Sequence, residues 1–220
     1  MQKPNITREV WNYISRDLAI QKHLGKNLIN MRALAKYITT ELKLKASTDS
    51  VISAIRRYSS HNDGLGSFNE MGSFFKGSNV ITRNNMACII LRNQANIHEY
   101  LSNMSKIMDF EKGEPLRLIK GRSSLRILAD MKSIEKIKKS LPKKEHDFEI
   151  KENLSEIKIK IALKAEKTKG VAARISNELT LQGINISEML FCIPEIIIYV
   201  DQSDLLKAHE GLVKLCCDMS

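Results

Sequence analysis

The sequence predicts an α+β fold in which an N-terminal domain of three helices precedes two ferredoxin-like βαββαβ units. Two patterns predict it: apolar residues recur every three or four positions up to about residue 60, and the order strand, helix, strand, strand, helix then occurs twice, about 70 residues apart. The 220 residues, 43% hydrophobic and 27% charged, have the composition of a globular protein with a sizeable core. The predicted boundaries are 1–60 for the helical domain, 61–79 for a linker or wing, and 80–153 and 154–220 for the two βαββαβ units.

The helical domain is predicted from three amphipathic stretches. Thr7 is expected to cap the first helix, and Gly25 and Asn27 mark its end. Ser47 or Thr48 is expected to cap the third helix. The apolar positions are Val10, Trp11, Ile14 and Leu18 in the first helix, Met31, Leu34, Ala35, Ile38 and Leu42 in the second, and Val51, Ile52, Ile55 and Tyr58 in the third.

A turn of about four residues between the last two helices is typical of a helix-turn-helix, either in its simple or in its winged form. The third helix would then read double-stranded DNA through Ser50, Ser53, Arg56 and Arg57, because residues on such a helix reach base edges and phosphates. A three-helix module for protein–protein contacts is the alternative interpretation.

The net charge of +10 lies in the first two thirds of the chain. Residues 1–80 carry 12 Lys/Arg against 6 Asp/Glu (+6), residues 81–153 carry 15 against 10 (+5), and residues 154–220 carry 8 against 9 (−1). A basic surface attracts polyanions by releasing their counterions, so nucleic acid is a candidate partner. A lysine-rich solvated surface would give the same count.

Residues 61–79 contain four of the ten glycines together with several Ser and Asn, which is typical of a linker or of the wing of a winged helix. Phe68, Phe74 and Phe75 favour a segment that docks on an apolar surface over a free tether.

The first βαββαβ unit is predicted from strands at 86–91, 115–120, 124–129 and around Phe148 and Ile150, with Gly121 in a hairpin turn. Helices are expected over 97–108 and 133–141. In the second unit, apolar and polar residues alternate from Ile157 to Leu163, which indicates a half-buried strand. A helix between Gly170 and Gly183, strands at 185–192 and 195–200, and a last helix over 203–216 follow. The inward residues of that last helix are expected to be Leu205, Leu206, His209, Leu212, Val213 and Cys216.

The stretch KGVAARISNELTLQGINISEM (169–189), followed by EIIIYVDQSDLLKAHEGL (195–212), resembles the C-terminal ACT domain of aspartate kinases. The segment NVITRNNMACIILRN (79–93) resembles the strands that open the tandem ACT unit of those enzymes. The resemblance covers about 140 residues and none of the kinase catalytic domain. It implies two interleaved ACT modules, in which residues 80–82 supply the missing fourth strand of the second module, and it implies a homodimer.

The resemblance also implies an amino-acid effector bound at the first strand–helix loop of each module. A helix N-terminus presents free N–H groups to a carboxylate there, and a glycine lets the ligand approach the backbone. The candidate ligand-binding residues are Asn93, Gln94 and Asn96 in the first module, and Lys167, Thr168, Gly170, Asn185 and Ser187 in the second. The alternative is that these residues only cap and turn the local backbone.

No pattern for catalysis stands out. The sequence has no P-loop, GxGxxG, GxSxG or HExxH, its five histidines are scattered, and its four cysteines lack the spacing of a zinc site or a secreted disulfide framework. No apolar run approaches the roughly 20 residues that cross a bilayer. We therefore expect a cytoplasmic protein without catalytic residues, metal or cofactor: an amino-acid-responsive DNA-binding transcriptional regulator. The alternative is a regulatory subunit that controls a biosynthetic enzyme through protein–protein contacts.

Overall fold

The computed structural model describes residues 5–61, 75–92, 108, 113–141 and 148–217. The chain divides into two compact units, residues 1–70 and 71–220. The predicted helix over 97–108 lies outside the described residues except for Met108, as do Phe68 and Phe74.

The first unit contains four helices among its described residues: α1 (Ile6–Ser15), α2 (Leu18–Gly25), α3 (Met31–Glu41) and α4 (Thr48–His61). The prediction of one helix through Leu18 is wrong because Asp17 caps a new helix there, its side chain accepting a hydrogen bond from the Ile20 N–H. Thr7 is not the first cap either. The Asn5 side chain accepts from the Arg8 N–H and leaves Thr7 inside α1.

The core of the first unit forms where α4 packs against α1 and α3. Trp11 extends this packing, since its indole N–H donates to the Ala54 carbonyl at 2.9 Å and its ring meets Tyr58 edge-on. The Ser47 hydroxyl accepts from the Ser50 N–H and so caps α4, as one of the two predicted alternatives. The fully or almost fully buried side chains are Val10, Ile14, Leu24, Leu34, Ala35, Ile38, Val51, Ala54, Ile55 and Tyr58.

The second unit is built on one antiparallel sheet of six strands among its described residues: β1 (Asn79–Arg92), β2 (Leu116–Lys120), β3 (Ser124–Asp130), β4 (Phe148–Lys160), β5 (Ile186–Cys192) and β6 (Glu195–Asp201). Their order across the sheet is β2-β3-β1-β4-β6-β5. The helices are α5 (Met131–Ser140), α6 (Val171–Leu181) and α7 (Leu205–Cys217).

The two central strands, β1 and β4, each serve both halves of the sheet. The first part of β1 pairs with the last part of β4, so that residues 80–82 lie opposite residues 157–159, as the resemblance implied for this segment. The second part of β1 pairs with β3 and with the first part of β4. The register shifts between Arg83 and Met86, and Asn85 (φ 53°) and Asn153 (φ 57°) have left-handed backbones. The boundary predicted at 153/154 therefore falls inside one continuous strand.

One face of the sheet carries the helices and two apolar cores. Ile157, Ile159, Ile196 and Ile198 pack with α6 and α7 in one core, which also buries Phe75 (1% exposed). The other core lies under α5 and includes these buried residues: Ala87, Ile89, Leu91, Met108, Leu125, Ile127, Ala129, Ile134, Ile137 and Leu141. The expectation that Phe75 docks on an apolar surface agrees with its burial.

Two side chains differ from the sequence expectation. Leu206 is 82% exposed, because α7 begins only at Leu205 and its buried stripe passes through Leu205, Ala208, Leu212 and Leu215. Leu163 is 69% exposed, because β4 ends at Lys160 and Leu163 begins a 3-10 turn that runs to Lys167. His209, expected inward, is half-buried.

The sheet is strongly curled, and its second face is concave. Arg126 on β3 forms an ion pair with Glu188 on β5, although four strand spacings of about 4.8 Å would put these strands roughly 19 Å apart in a flat sheet. Because of this curl, a third apolar cluster is buried on the concave face, although no helix of the described residues covers it. It consists of Met86, Cys88, Ile90, Leu128, Leu154, Ile197 and Tyr199.

Candidate functional site

The loop between β4 and α6 is shaped by a 3-10 turn and a glycine. The turn covers Leu163–Lys167, and the Thr168 hydroxyl donates to the Lys164 carbonyl at 3.2 Å. Gly170 precedes α6 with φ 91°. Glycine adopts this left-handed backbone readily, whereas any residue with a side chain would be strained in it. No side chain caps α6. The first-turn N–H groups of the helix therefore point to the space in front of Gly170 without a side-chain acceptor.

This space is an open cavity of about 590 Å³. Its polar wall is formed by Glu166, Thr168 and the start of α6. Its apolar wall includes Phe191 at the end of β5, which is 44% exposed. The complete lining is Ala165, Glu166, Thr168, Gly170, Val171, Ala172, Phe191, Cys192 and Ile193.

The cavity offers three kinds of contact to a small molecule. The helix N-terminus favours a carboxylate, through its free N–H groups and the positive end of the helix dipole. The Glu166 carboxylate can accept from an ammonium group. Phe191, Val171 and Ile193 give an apolar surface for a side chain. This combination suits an α-amino acid.

Of the residues predicted to bind ligand, the structure brings Thr168 and Gly170 together in this cavity. Lys167 is exposed in the adjacent turn and is not part of the lining. Asn185 and Ser187 lie just before and at the beginning of β5, and four steps along the strand, at about 3.3 Å each, lead from Ser187 to Phe191. Asn93, Gln94 and Asn96 lie outside the described residues.

Sequence reasoning missed Glu166 and the end of β5, Phe191 and Cys192. The signal was available in the predicted topology. Because β5 and β4 both run antiparallel to β6, they are parallel to each other, and the end of β5 must lie beside the loop that follows β4. The prediction used the beginning of β5 instead.

In the first unit, α4 presents a polar face made of the four predicted DNA-contacting residues, Ser50, Ser53, Arg56 and Arg57, all exposed. Arg57 also has a structural role. Its guanidinium donates to the Thr7 hydroxyl at 3.1 Å and to the Ser53 carbonyl at 3.3 Å. Arg56 is therefore the better probe of this face.

The described ranges of the chain contain neither a metal-binding cluster nor a membrane-spanning helix. No three His, Cys, Asp or Glu side chains there are placed to hold a metal ion. None of the helices there has both the length and the apolar character that a bilayer crossing requires.

The fold is similar to the regulatory part of aspartate kinases. The regulatory subunit of the Thermus thermophilus enzyme (ligand-free form) matches with a TM-score of 0.50 and 13% identity, over 62% of this chain and 97% of that one. Synechocystis aspartate kinase matches with a TM-score of 0.50 and 13% identity, over 63% of this chain and 26% of that one. Clostridium acetobutylicum aspartate kinase matches with a TM-score of 0.49 and 21% identity, over 62% of this chain and 34% of that one.

No protein-family model matches the sequence, and no curated protein matches it. The chain spans about a quarter to a third of the length of the complete aspartate kinases and nearly all of the separate regulatory subunit. Over somewhat less than two thirds of its length, this chain therefore has the fold of an aspartate kinase regulatory domain.

Proposed function

We propose that this chain is a non-catalytic, amino-acid-responsive regulator that binds double-stranded DNA through its helical unit and an amino-acid effector through its sheet unit. The observation that carries the sensor half of this proposal is the uncapped start of α6, which opens on a cavity with Glu166 and an apolar wall. The likeness to aspartate kinase regulatory domains supports the same assignment.

The effector site can be tested by one substitution with a matched control. Ala172 is exposed, lines the cavity and lies in the first turn of α6, where a carboxylate suits the helix dipole. Ala172→Glu should therefore keep the fold but repel and displace an anionic ligand. Asn177→Glu adds the same charge on an exposed position of the same helix away from the cavity.

The readout is thermal unfolding of the full chain with each of the twenty amino acids. An effector at one hundred times its Kd stabilises the native state by about 2.7 kcal/mol, which raises Tm by several degrees. We expect full stabilisation of the wild type and of Asn177→Glu, and a smaller stabilisation of Ala172→Glu. If no amino acid stabilises the wild type, or if Ala172→Glu responds like the wild type, the site is assigned wrongly.

For the DNA half, the supporting observation is the exposed polar face of α4, with Arg56 and Arg57 on a helix held firmly by α1 and α3. Arg56→Ala should weaken duplex binding and reduce the slope of log K against log salt concentration by about one. Arg16→Ala removes an exposed arginine at the end of α1 and serves as the control. Fluorescence anisotropy at several salt concentrations measures the duplex affinity and its salt dependence for each variant.

The second candidate function is a regulatory subunit that controls a biosynthetic enzyme, with the helical unit as the docking module. It is favoured by the nearly complete coverage of a separate regulatory subunit of aspartate kinase. If the full chain shows no salt-sensitive affinity for duplex DNA but still responds to an amino acid, this second function replaces the first. A homodimer is part of either proposal, and sedimentation equilibrium should give twice the mass of the chain.

A further inference from the structure

The concave face of the sheet carries a belt of polar side chains beside its apolar cluster. Each of the six strands contributes one member. The belt consists of Arg83 (β1), Arg117 (β2), Arg126 (β3), Glu156 (β4), Glu188 (β5) and Tyr199 (β6).

Strand register and direct contacts define the belt independently. Arg83 lies opposite Glu156, Glu156 lies opposite Tyr199, and Tyr199 lies opposite Glu188, so that four members form one row across neighbouring strands. The curl brings the remaining two members across the concave face. Arg126 forms an ion pair with Glu188, and Arg117 approaches Glu156.

Glu156 is the most deeply buried charged member, with 5% of its surface exposed. The Tyr199 hydroxyl donates to its Oε2 atom, and Nη2 of Arg117 lies 3.9 Å from the same oxygen. The other carboxylate oxygen, Oε1, has no hydrogen-bond partner among the residues that the structure describes. Ser155 Oγ, not Oε1, is the buried side-chain atom without a partner among the described residues, so Oε1 is open to solvent and available to a donor from outside.

A cavity of about 220 Å³ opens in front of this carboxylate. Arg83 and Arg117 lie on its wall, and Ile81 and Pro115 give it an apolar side. Arg83 is exposed and, although it lies directly opposite Glu156, forms no ion pair within the described part of the chain. The other charged wall residues, Glu114 and Lys158, are paired with Lys136 and Glu195 at 3.3 and 3.2 Å.

We propose that this concave-face cavity is a second amino-acid site, which takes the ammonium group on Oε1 of Glu156 and the carboxylate on the guanidinium groups of Arg83 and Arg117. The site lies on the face of the sheet opposite the helices and shares no lining residue with the cavity at α6. It adds a second binding event to the one proposed above.

The charges decide the class of ligand. A simple anion at the arginines would lie beside the Glu156 carboxylate, and a simple cation at Glu156 would lie beside Arg83, so each would meet one repulsive neighbour. A molecule that carries both charges a few ångströms apart meets two attractive ones. The wall itself has three cations and two carboxylates, a surplus of one positive charge, which favours an amino acid with a net negative charge.

The test uses the full chain with the Ala172→Glu substitution, which removes the α6 site from the measurement. Isothermal titration with each of the twenty amino acids should detect one saturable site per chain. Arg83→Gln and Glu156→Gln should each weaken that binding by about tenfold or more, the loss expected for a charge-assisted hydrogen bond. Arg122→Gln, an exposed arginine in the β2–β3 turn, should leave it unchanged.

Analogues of the bound amino acid separate the two charge contacts. Its N-acetyl derivative lacks the ammonium group and its amide lacks the carboxylate, so neither should bind. The proposal is overturned if Ala172→Glu binds no amino acid, if Arg83→Gln binds as tightly as its parent, or if the N-acetyl derivative binds equally well. Because Arg83 is exposed, its substitution tests the site without endangering the fold.

The two proposals fail in distinguishable ways. Each substitution is here made singly in the wild-type chain. Loss of all binding in Ala172→Glu, together with full binding in the single variant Arg83→Gln, leaves the α6 site standing and rejects the concave-face site. Full binding in Ala172→Glu, together with loss of binding in Arg83→Gln, supports the concave-face site and rejects the α6 site. Two sites in the wild type and one in each variant support both.

Discussion

Two buried serines in the sheet unit show how much depends on a single hydrogen bond. The Ser155 hydroxyl on β4 is buried among apolar side chains and has no hydrogen-bond partner in the part of the chain that the structure describes. The Ser133 hydroxyl in the first turn of α5 is equally buried but donates to Asp130 at 3.1 Å. The same residue type therefore has opposite effects on stability at the two positions.

We expect Ser155→Ala to raise the free energy of unfolding by about 1 kcal/mol, because it removes a desolvated hydroxyl that gains nothing in the folded state. Ser133→Ala should lower it by a similar amount, because its hydroxyl is satisfied. Urea unfolding of both variants and the wild type gives the comparison. Destabilisation by both would mean that Ser155 has a partner.

Tyr199 makes the stability of the protein depend on pH in the alkaline range. Burial raises the pKa of Tyr199 strongly, and the neighbouring Glu156 carboxylate raises it further. In the unfolded chain the Tyr199 hydroxyl releases its proton at about pH 10, whereas in the folded chain it keeps the proton. The contribution of Tyr199 to the free energy of unfolding is therefore complete below pH 10 and is lost as the pH rises further.

The free energy of unfolding should therefore decline above pH 10, with Tyr199 adding about 1.4 kcal/mol per pH unit to the slope. Tyr199→Phe removes this share of the slope, although it also removes the hydrogen bond to Glu156 and lowers stability at neutral pH. Urea unfolding between pH 9 and pH 11 measures both effects. Equal slopes in the two proteins would show that Tyr199 ionises normally.

At the scale of the elements, the sequence predicted most strands and helices of the sheet unit but not their continuity. The alternation of Ile157 and Ile159 with Lys158 and Lys160 identifies a strand, and Gly170 and Gly183 bound the helix between them. Residues 148–150 and 157–163 were predicted as two strands. Nothing in their local pattern indicates that they form one strand with a left-handed residue in its middle, because that depends on pairing with β1.

The site was predicted less completely than the fold for a similar reason. Thr168 and Gly170 belong to a loop that local sequence identifies, whereas Phe191 reaches the same cavity only through the parallel arrangement of β4 and β5. The polar belt has no local signal at all. Glu156 and Arg117 are 39 residues apart in the chain, and only the curl of the sheet brings them together.

The left-handed residue of β4 can be tested as an element. Asn153 has φ 57°, where a side chain other than Asn or Asp costs about 1 kcal/mol or more and glycine costs nothing. Asn153→Ala should therefore lower the free energy of unfolding by about 1 kcal/mol, and Asn153→Gly should change it by much less. Chemical unfolding compares the two. Equal stability of both variants would mean that residue 153 has an ordinary strand backbone.

At the scale of the whole molecule, two compact units, residues 1–70 and 71–220, carry the two halves of the proposed function. The exposed arginines of α4 lie in the first unit, and both proposed amino-acid sites lie in the second. A regulator of this kind requires that binding in one unit changes the affinity of the other. Such coupling is a free energy shared by the two ligands, so it must act equally in both directions.

This reciprocity gives the decisive prediction for the molecule as a whole. If the effector changes the affinity for duplex DNA, a coupling of about 1–3 kcal/mol corresponds to a change of roughly 5- to 150-fold in Kd, and saturating DNA must change the Kd of the amino acid by the same factor. We expect anisotropy titrations of DNA, with and without the effector, and calorimetric titrations of the effector, with and without DNA, to agree. In Arg56→Ala, DNA binding should weaken but the coupling factor should stay the same, because that side chain is proposed to contact DNA and not to link the two sites. Equal DNA affinity with and without the effector would reduce the chain to two independent binding units.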